Sequence, residues 1–308
     1  MINTCKKIIN QFPLLKRFIL PIYLGAGSAI FWVYKKYNST FSYVLIDKTK
    51  VKFYTNGQIA KGIFWGEFER KELEVFQLLL EPGSVVIDAG ANIGLYSIIG
   101  SKRVGATGKV FSFEPSKANF KLFLKNIELN QIKNIIPVNM GLGDEIADKL
   151  ILSQNPENGD GEKYILKDEN LIKNNLNNNK SNEIIALDTL DNFQLNNNIT
   201  KVDFLKIDVE GYEYYVLKGA EKLLKNNPEI IILFECAEHL AKRARSTQNA
   251  VFTLLNDLNI EIVYWDEKEK KWGTDLIKAK KSGQLLGGRN IMSTINNLSL
   301  NKLNINFK

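Results

Sequence analysis

Cysteine and histidine are nearly absent from this chain. Its 308 residues hold two cysteines, Cys5 and Cys236, and one histidine, His239. So few thiols exclude a disulfide framework, and no Cys/His spacing suggests zinc. A reducing compartment is the default for such a chain. Cys236 ends an apolar run and reads as a small buried hydrophobe. Long apolar runs are missing too. Phe18–Tyr34 carries no charge, but it falls short of the roughly 20 apolar residues a membrane span needs, and Pro21, Gly25 and Gly27 interrupt it. No small-residue cleavage site marks a removed signal peptide. A hydrophobic content of 44% excludes a polytopic membrane protein.

What is present is an excess of basic residues, with a formal charge of +7. Lys6, Lys7, Lys16, Arg17, Lys35 and Lys36 gather near the N-terminus, and Lys268, Lys270, Lys271, Lys278, Lys280 and Lys281 near the other end. Solubility accounts for this; attraction to an anionic membrane or an acidic substrate is the alternative. Nucleic acid is not an expected partner, because no recognised binding motif accompanies the charge. Basic pairs bracket Phe18–Tyr34 on both sides, so charge gives it no orientation. Three readings stay open for residues 18–34: a packed helix, peripheral membrane contact, or a span.

Further on, Val44–Ile46 and Val51–Tyr54 alternate around a charged turn and predict a hairpin. Phe68–Leu80 has helical spacing and stops before Pro82-Gly83. Strands and helices then alternate. Strands are expected at Val85–Ala89, Lys109–Phe113, Ile135–Met140, Phe204–Ile207, Ile230–Phe234 and Ile260–Trp265, with a seventh at Ile291–Ile295. Helices are expected at Ile93–Lys102, Ala118–Asn130, Tyr212–Leu224 and Asn249–Leu258. This rhythm predicts an α/β fold with a doubly wound, mostly parallel sheet. Asn155–Asn182, rich in Asn, Lys, Asp and Glu, breaks the rhythm and reads as a mobile insertion, and the tail after Asn296 looks similar.

The first strand ends at Asp88 and runs into Gly90, Asn92 and Gly94 before a helical pattern. A strand, a tight glycine turn and a helix start place a nucleotide-like cofactor in such folds. The third glycine of G-x-G-x-x-G is missing, which disfavours a nicotinamide dinucleotide. The spacing suits the amino-acid portion of S-adenosylmethionine better. Asp88 can pair with a ligand ammonium while the turn's N–H groups face a ligand carboxylate. Glu114 ends the second strand about 20 residues on, where an acid can hold both hydroxyls of a ribose. Asp144, after the third strand, is placed to reach an adenine amino group. Taken alone each signal is weak, since helix capping would explain Asp88 and Glu114 and a plain turn acid Asp144; Asp88 and Glu114 together, in order and in phase, are strong.

The fourth strand ends in Asp208-Val209-Glu210. Ligands in such sheets bind beyond the carboxyl ends of the strands, and this spacing puts both carboxylates on one side of an extended chain. They are candidates to position an acceptor hydroxyl and take its proton, or else form a helix cap. Glu235, at the end of the fifth strand, and His239 just after it are further candidates. Asp208, Glu210 and Glu235 could also form an oxygen site for a cation, but the motif itself calls for no metal.

Together the IDAGANIG loop (87–94), FEPS (113–116), Leu187–Asp191, KIDVEGYEYYVLKGAEKLL (206–224) and the following LFE (233–235) resemble the FkbM family of S-adenosylmethionine-dependent methyltransferases. The resemblance covers roughly Glu67–Trp265. It implies a Rossmann-like class I methyltransferase fold whose sheet has seven strands, the last antiparallel. It also implies methyl transfer to a hydroxyl of a sugar, glycan or other small metabolite. Carried over by position, Asp88, Gly90, Asn92 and Gly94 would line the methionine end of the cofactor, Glu114 the ribose, and Asp208 with Glu210 the reacting centre. Many relatives carry a histidine soon after the LE or FE pair at the end of the fifth strand; here Cys236-Ala237-Glu238 intervenes between Phe234-Glu235 and His239. The expected organisation is an apolar, basic segment at 1–40, a hairpin lead-in at 41–66, a methyltransferase domain at 67–295 with its insertion at 155–182, and a tail at 296–308. A catalytically silent binding or membrane-assembly module on the same fold is the rival reading.

Overall fold

A computed structural model describes residues 29–37, 39–55, 57–154, 163–166, 183–266, 269, 271–280, 284–289 and 291–292. The chain divides into two compact units, Met1–Arg70 and Lys71–Lys308. Most of Phe18–Tyr34, most of Asn155–Asn182 and the tail lie outside the described residues.

In the first unit, helix α1 (29–37) precedes an antiparallel hairpin of β1 (Phe41–Val44) and β2 (Lys50–Phe53), followed by α2 (Gly57–Trp65). Phe31 lies 5.8 Å from Phe41 and 5.5 Å from Phe64, ring centre to ring centre, so aromatic packing ties both helices to the hairpin. The opposite side of α1 leaves Ile30, Trp32, Val33 and Tyr37 exposed. Among the described residues no helix is long and apolar enough to cross a membrane.

The second unit begins with α3 (Arg70–Leu79) and then alternates: β3 (Val85–Ala89), α4 (Leu95–Val104), β4 (Lys109–Phe113), α5 (Lys117–Leu129) and β5 (Ile135–Val138). After β6 (Gly141–Leu142), β7 (Ala147–Gln154), β8 (Lys163–Leu166) and β9 (Glu183–Asp188) come α6 (Leu190–Asn196), β10 (Phe204–Ile207), α7 (Glu213–Lys218) and α8 (Glu221–Asn226). The chain continues through β11 (Ile231–Glu235), α9 (Glu238–Arg243), α10 (Gln248–Asp257), β12 (Glu261–Asp266), β13 (Lys271–Gly273), α11 (Leu276–Ala279) and β14 (Gln284–Gly288). The main sheet runs β13-β12-β14-β11-β10-β3-β4-β5. The five strands from β11 to β5 are parallel, whereas β14 runs antiparallel to both neighbours. This strand order, with antiparallel β14 inserted near the edge, is the arrangement that the family resemblance implies.

Alternation along β10 divides the core. Phe204 meets Phe76 of α3 at 5.2 Å, whereas Leu205 and Ile207 face the apolar cluster built with α6, α7, α8 and α10. The chain reverses its strand order between β3 and β10, and there a cleft opens at the strands' carboxyl ends.

Four sequence expectations need correction. The sheet has eight strands, because β13 extends the edge by a short antiparallel pairing with β12. The last long strand is Gln284–Gly288; Ile291 sits in a helical turn instead. Two glycines hid that strand, since glycine is a poor strand former. A Cβ at Gly287 would stand 3.1 Å from Ile260 and one at Gly288 3.2 Å from the Ile230 carbonyl, so close packing accounts for both. The helix predicted over Tyr212–Leu224 is two, broken at Gly219-Ala220, with Asp191 accepting from the Lys222 and Leu223 amides to start the second. A separate four-stranded sheet, β6-β9-β7-β8, was not foreseen.

The break at Gly219 is enforced by space: a Cβ there would lie 1.9 Å from the Gly143 carbonyl oxygen. Gly219→Ala is expected to cost about 1–3 kcal/mol through overpacking, read as a melting temperature lowered by several degrees.

Candidate functional site

The cleft encloses about 670 Å³, its open mouth included. One wall is the loop after β3. Gly90 has φ 85°, and a Cβ on it would stand 1.9 Å from the Asp208 carbonyl, so only glycine lets the β3 and β10 ends approach this closely. Gly94, with φ 88°, has the same restriction against the Phe123 ring, 2.1 Å from where its Cβ would be. Asn92 takes the left-handed region as well, at φ 51°.

The loop's amides do not all point outward, which corrects the expectation that they face a ligand carboxylate. Gly90 and Ala91 donate to the Phe113 carbonyl at 3.0 and 2.8 Å, and Gly94 donates to Ala91 at 2.7 Å. Asn92 donates to Glu114 Oε2 at 2.8 Å. The amides stitch β3's loop to β4, so what lines the cleft here is Gly90 and Asn92 themselves.

Glu114 faces the cleft with its carboxylate fixed at both ends. Oε2 takes the Asn92 amide and Oε1 the Ser116 amide at 2.9 Å. Charge-assisted bonds of this kind preset an anion for a ligand hydroxyl. Ser116 caps α5, and Glu183 of β9 accepts from the Ser116 hydroxyl and the Lys117 amide, so the second sheet braces this corner. Leu152 of β7 and Ile165 of β8 join Pro115, Met140 and Leu142 on an apolar wall that suits a flat heteroaromatic ring.

Asp208 and Glu210 line the same cleft. Glu210 is held at φ 55°, a left-handed conformation that costs a non-glycine residue about 1–2 kcal/mol. Glu213 supports this turn from beneath. Its buried carboxylate accepts from the Val209 amide at 3.4 Å and the Gly211 amide at 3.1 Å. Burial pushes the Glu213 carboxyl up to about 7, with Asp208's charge adding to the shift. Burial likewise lifts Glu235 to about 7; Asp208 adds to that shift and Lys206 opposes it.

Asp88 is placed differently from Glu114. It is 1% exposed and lies behind the loop, where Ser97 Oγ donates to Oδ2 at 2.5 Å. The parallel register sets Lys206 directly beside it. The Lys206 ammonium is 3.5 Å from Asp88 Oδ1, an ion pair too long for a strong hydrogen bond. It also reaches the Gly90 carbonyl at 3.1 Å, Asp208 Oδ2 at 3.3 Å and the Tyr96 ring centre at 4.8 Å. Sequence reasoning passed over Lys206, although a lysine in an otherwise apolar strand signals a partnered buried charge. Glu213 was missed for a similar reason, since it reads as the first turn of a helix.

Three further candidates are not part of the cleft lining: Glu235, half-buried at the end of β11, Asp144 and His239. Asp144 is exposed on the turn after β6, where Gly141 and Leu142 line the cleft in its place. His239 is exposed on the first turn of α9. Cys236 is buried, and burial pushes its thiol up to about 12. Among the described residues no three His, Cys, Asp or Glu side chains gather to hold a metal ion.

The raised Glu213 carboxyl links stability to pH. Between pH 4.5 and about 7 the unfolded chain has released this proton and the folded chain retains it. Stability therefore falls as pH rises through that window and stays lowered above it. Glu213→Gln keeps an acceptor for both amides and removes the charge. The variant is expected to match wild type near pH 4.5 and exceed it at pH 8 by up to about 3 kcal/mol, as measured by denaturant unfolding.

Comparison with known proteins matches residues 88–259 to the family described as "Methyltransferase FkbM domain". "Methyltransferase 1" of Beauveria bassiana is 29% identical over 148 residues, covering 45% of this chain and 59% of that protein. "Hexuronic acid methyltransferase AglP" of Haloferax volcanii is 26% identical over 166 residues, covering 53% of this chain and 62% of that one. The chain thus spans about three fifths of the length of these two relatives. Among solved structures, a putative SAM-dependent methyltransferase from Streptococcus mutans aligns with a TM-score of 0.42 and 12% identity, covering 81% of this chain and 55% of that chain.

Proposed function

Because this chain belongs to the FkbM methyltransferase family, with S-adenosylmethionine as its cofactor, we propose that it methylates a hydroxyl oxygen of a sugar, glycan or other small metabolite. The observation that carries this reading is a single cleft lined by Asp208 and Glu210 together with Glu114, Gly90 and Asn92. The residues fit the cofactor. Glu114 would hold the ribose, the apolar wall with Leu152 and Ile165 the adenine, and the Gly90–Asn92 loop the amino-acid end.

When bound, the cofactor supplies an activated methyl group. The protein's task is then alignment, which converts an encounter between two molecules into a step within one complex. Asp208 or Glu210 accepts the hydroxyl proton as the oxygen attacks, a contribution of roughly 10²–10⁴-fold. The fixed β10 end holds both carboxylates at the cleft, and the strained Glu210 turn clamped by Glu213 supports its role as a preset group. A relative named as a hexuronic acid methyltransferase supports a sugar-derived acceptor.

Asp208→Asn is expected to lower turnover by roughly 10²–10⁴-fold while changing cofactor affinity far less. Calorimetric titration with S-adenosylmethionine and transfer of a labelled methyl to candidate glycosides provide the two readings. A methyl ether survives mild alkali and a methyl ester does not, so an alkali-labile product would replace hydroxyl with carboxyl methylation. Cofactor binding without transfer to any acceptor would favour the silent binding module.

We further propose that α1 contacts an anionic membrane surface. Trp32 is 63% and Tyr37 76% exposed, with Lys35 and Lys36 lying over their rings at 5.3 and 5.8 Å. Aromatic and basic side chains on one exposed helix are the makeup of interfacial anchors. The full chain is expected to sediment with phosphatidylserine-containing vesicles, and Trp32→Ser with Tyr37→Ser to weaken this several-fold. Equal behaviour of wild type and variant would count against the contact.

A further inference from the structure

Lys206 is a buried cation in direct contact with two residues that line the cleft, Gly90 and Asp208. Its ammonium touches the Gly90 carbonyl of the cofactor loop and the Asp208 carboxylate, and pairs with the buried Asp88. Gly90 and Asp208 both line the cleft, so this charge lies one residue deep from any ligand there. The Lys206 side chain is 4% exposed, and Asp88 is 1% exposed. Burial at this depth leaves little water to screen the charges, so they act on a ligand through a low effective dielectric.

The reading of the site as a methyl-transfer cleft, on which this inference rests, adds a chemical asymmetry. The donor carries a sulfonium cation; the product left after transfer is a neutral thioether. The two ligands are otherwise the same in shape and in polar groups. An enzyme with Asp88, Asp208 and Glu210 near one cleft would favour the cation strongly unless a positive charge offset them. Lys206 stands where that offset has most effect.

We infer that Lys206 is a positioning residue that sets the charge of the cleft, so that the cationic donor is not held excessively more tightly than the neutral product. A purely structural tether would act on both ligands alike, because it would hold the Gly90 loop for either one. A charge-setting residue acts on their ratio. Removing the ammonium strengthens the preference for the sulfonium; removing the Asp88 carboxylate weakens it.

Lys206→Met and Asp88→Asn, each in the full chain, are titrated calorimetrically with S-adenosylmethionine and separately with S-adenosylhomocysteine. Lys206→Met is expected to shift the affinity ratio towards S-adenosylmethionine on the order of tenfold. Asp88→Asn is expected to shift it the opposite way, and Lys206→Arg to leave it near wild type. Should Lys206→Met fail to fold, Asp88→Asn carries the same test with opposite sign, since Lys206 keeps Asp208 as a partner there. Parallel weakening of both ligands, with an unchanged ratio, would overturn the inference and leave a structural tether. A wild-type chain that binds neither ligand would instead overturn the methyltransfer reading beneath it.

Discussion

The contact between the ends of β3 and β10 organises everything at the cleft. Gly90 and the Asp208 carbonyl come so close that no side chain fits between them. That approach brings the cofactor loop and the acceptor-side carboxylates to one place. Lys206 and Asp88 make it sustainable from beneath: the register sets them side by side, and the ammonium also takes up the Gly90 carbonyl and Asp208. Breaking such a buried pair by removing one partner typically costs about 3–5 kcal/mol. Loop shape, charge and packing therefore depend on one another, and the amides of the loop are spent on β4 and Glu114 to fix this geometry.

The same economy explains the acid side of the cleft. Glu210 occupies a backbone region that an L-residue enters at a cost, and Glu213 stabilises the turn by accepting from two of its amides. That acceptor is buried, which raises its proton affinity, so the support of the turn is coupled to pH. Glu235 is raised by burial and by Asp208 together. Glu213 and Glu235 thus share one cause of raised proton affinity, burial beside the charge of Asp208.

Much of this was readable in the chain. The parallel core strands had continuous apolar runs with acids at their ends, and in an α/β sheet a strand's carboxyl end is the functional end. Glu114, Asp208 and Glu210 were found by that rule and do line the cleft. Asp88 obeyed the rule yet lies behind the loop, because its pleat position faces Lys206 and Ser97. Asp144 and His239 were chosen from proximity in sequence, and each stands on an exposed turn away from the wall. The second sheet escaped notice because its strands are partly polar and interrupted by an Asn-rich stretch. Even so, it supplies Leu152 and Ile165 to the apolar wall.

By itself the sequence determined the alternating α/β order, the glycine turn after β3 and the acids at strand ends. These are local properties: period, apolar runs, and residues that alone permit a backbone conformation. It also carried the family resemblance that residues 88–259 confirm. Tertiary structure decided which groups share a space. The pairing of Lys206 with Asp88, the break at Gly219 beneath the Gly143 carbonyl, the glycines of β14 and the bracing of α5 by Glu183 all join residues far apart in the chain. Such contacts depend on register and close packing, which no local pattern encodes, because they arise only when distant strands and helices are brought within touching distance.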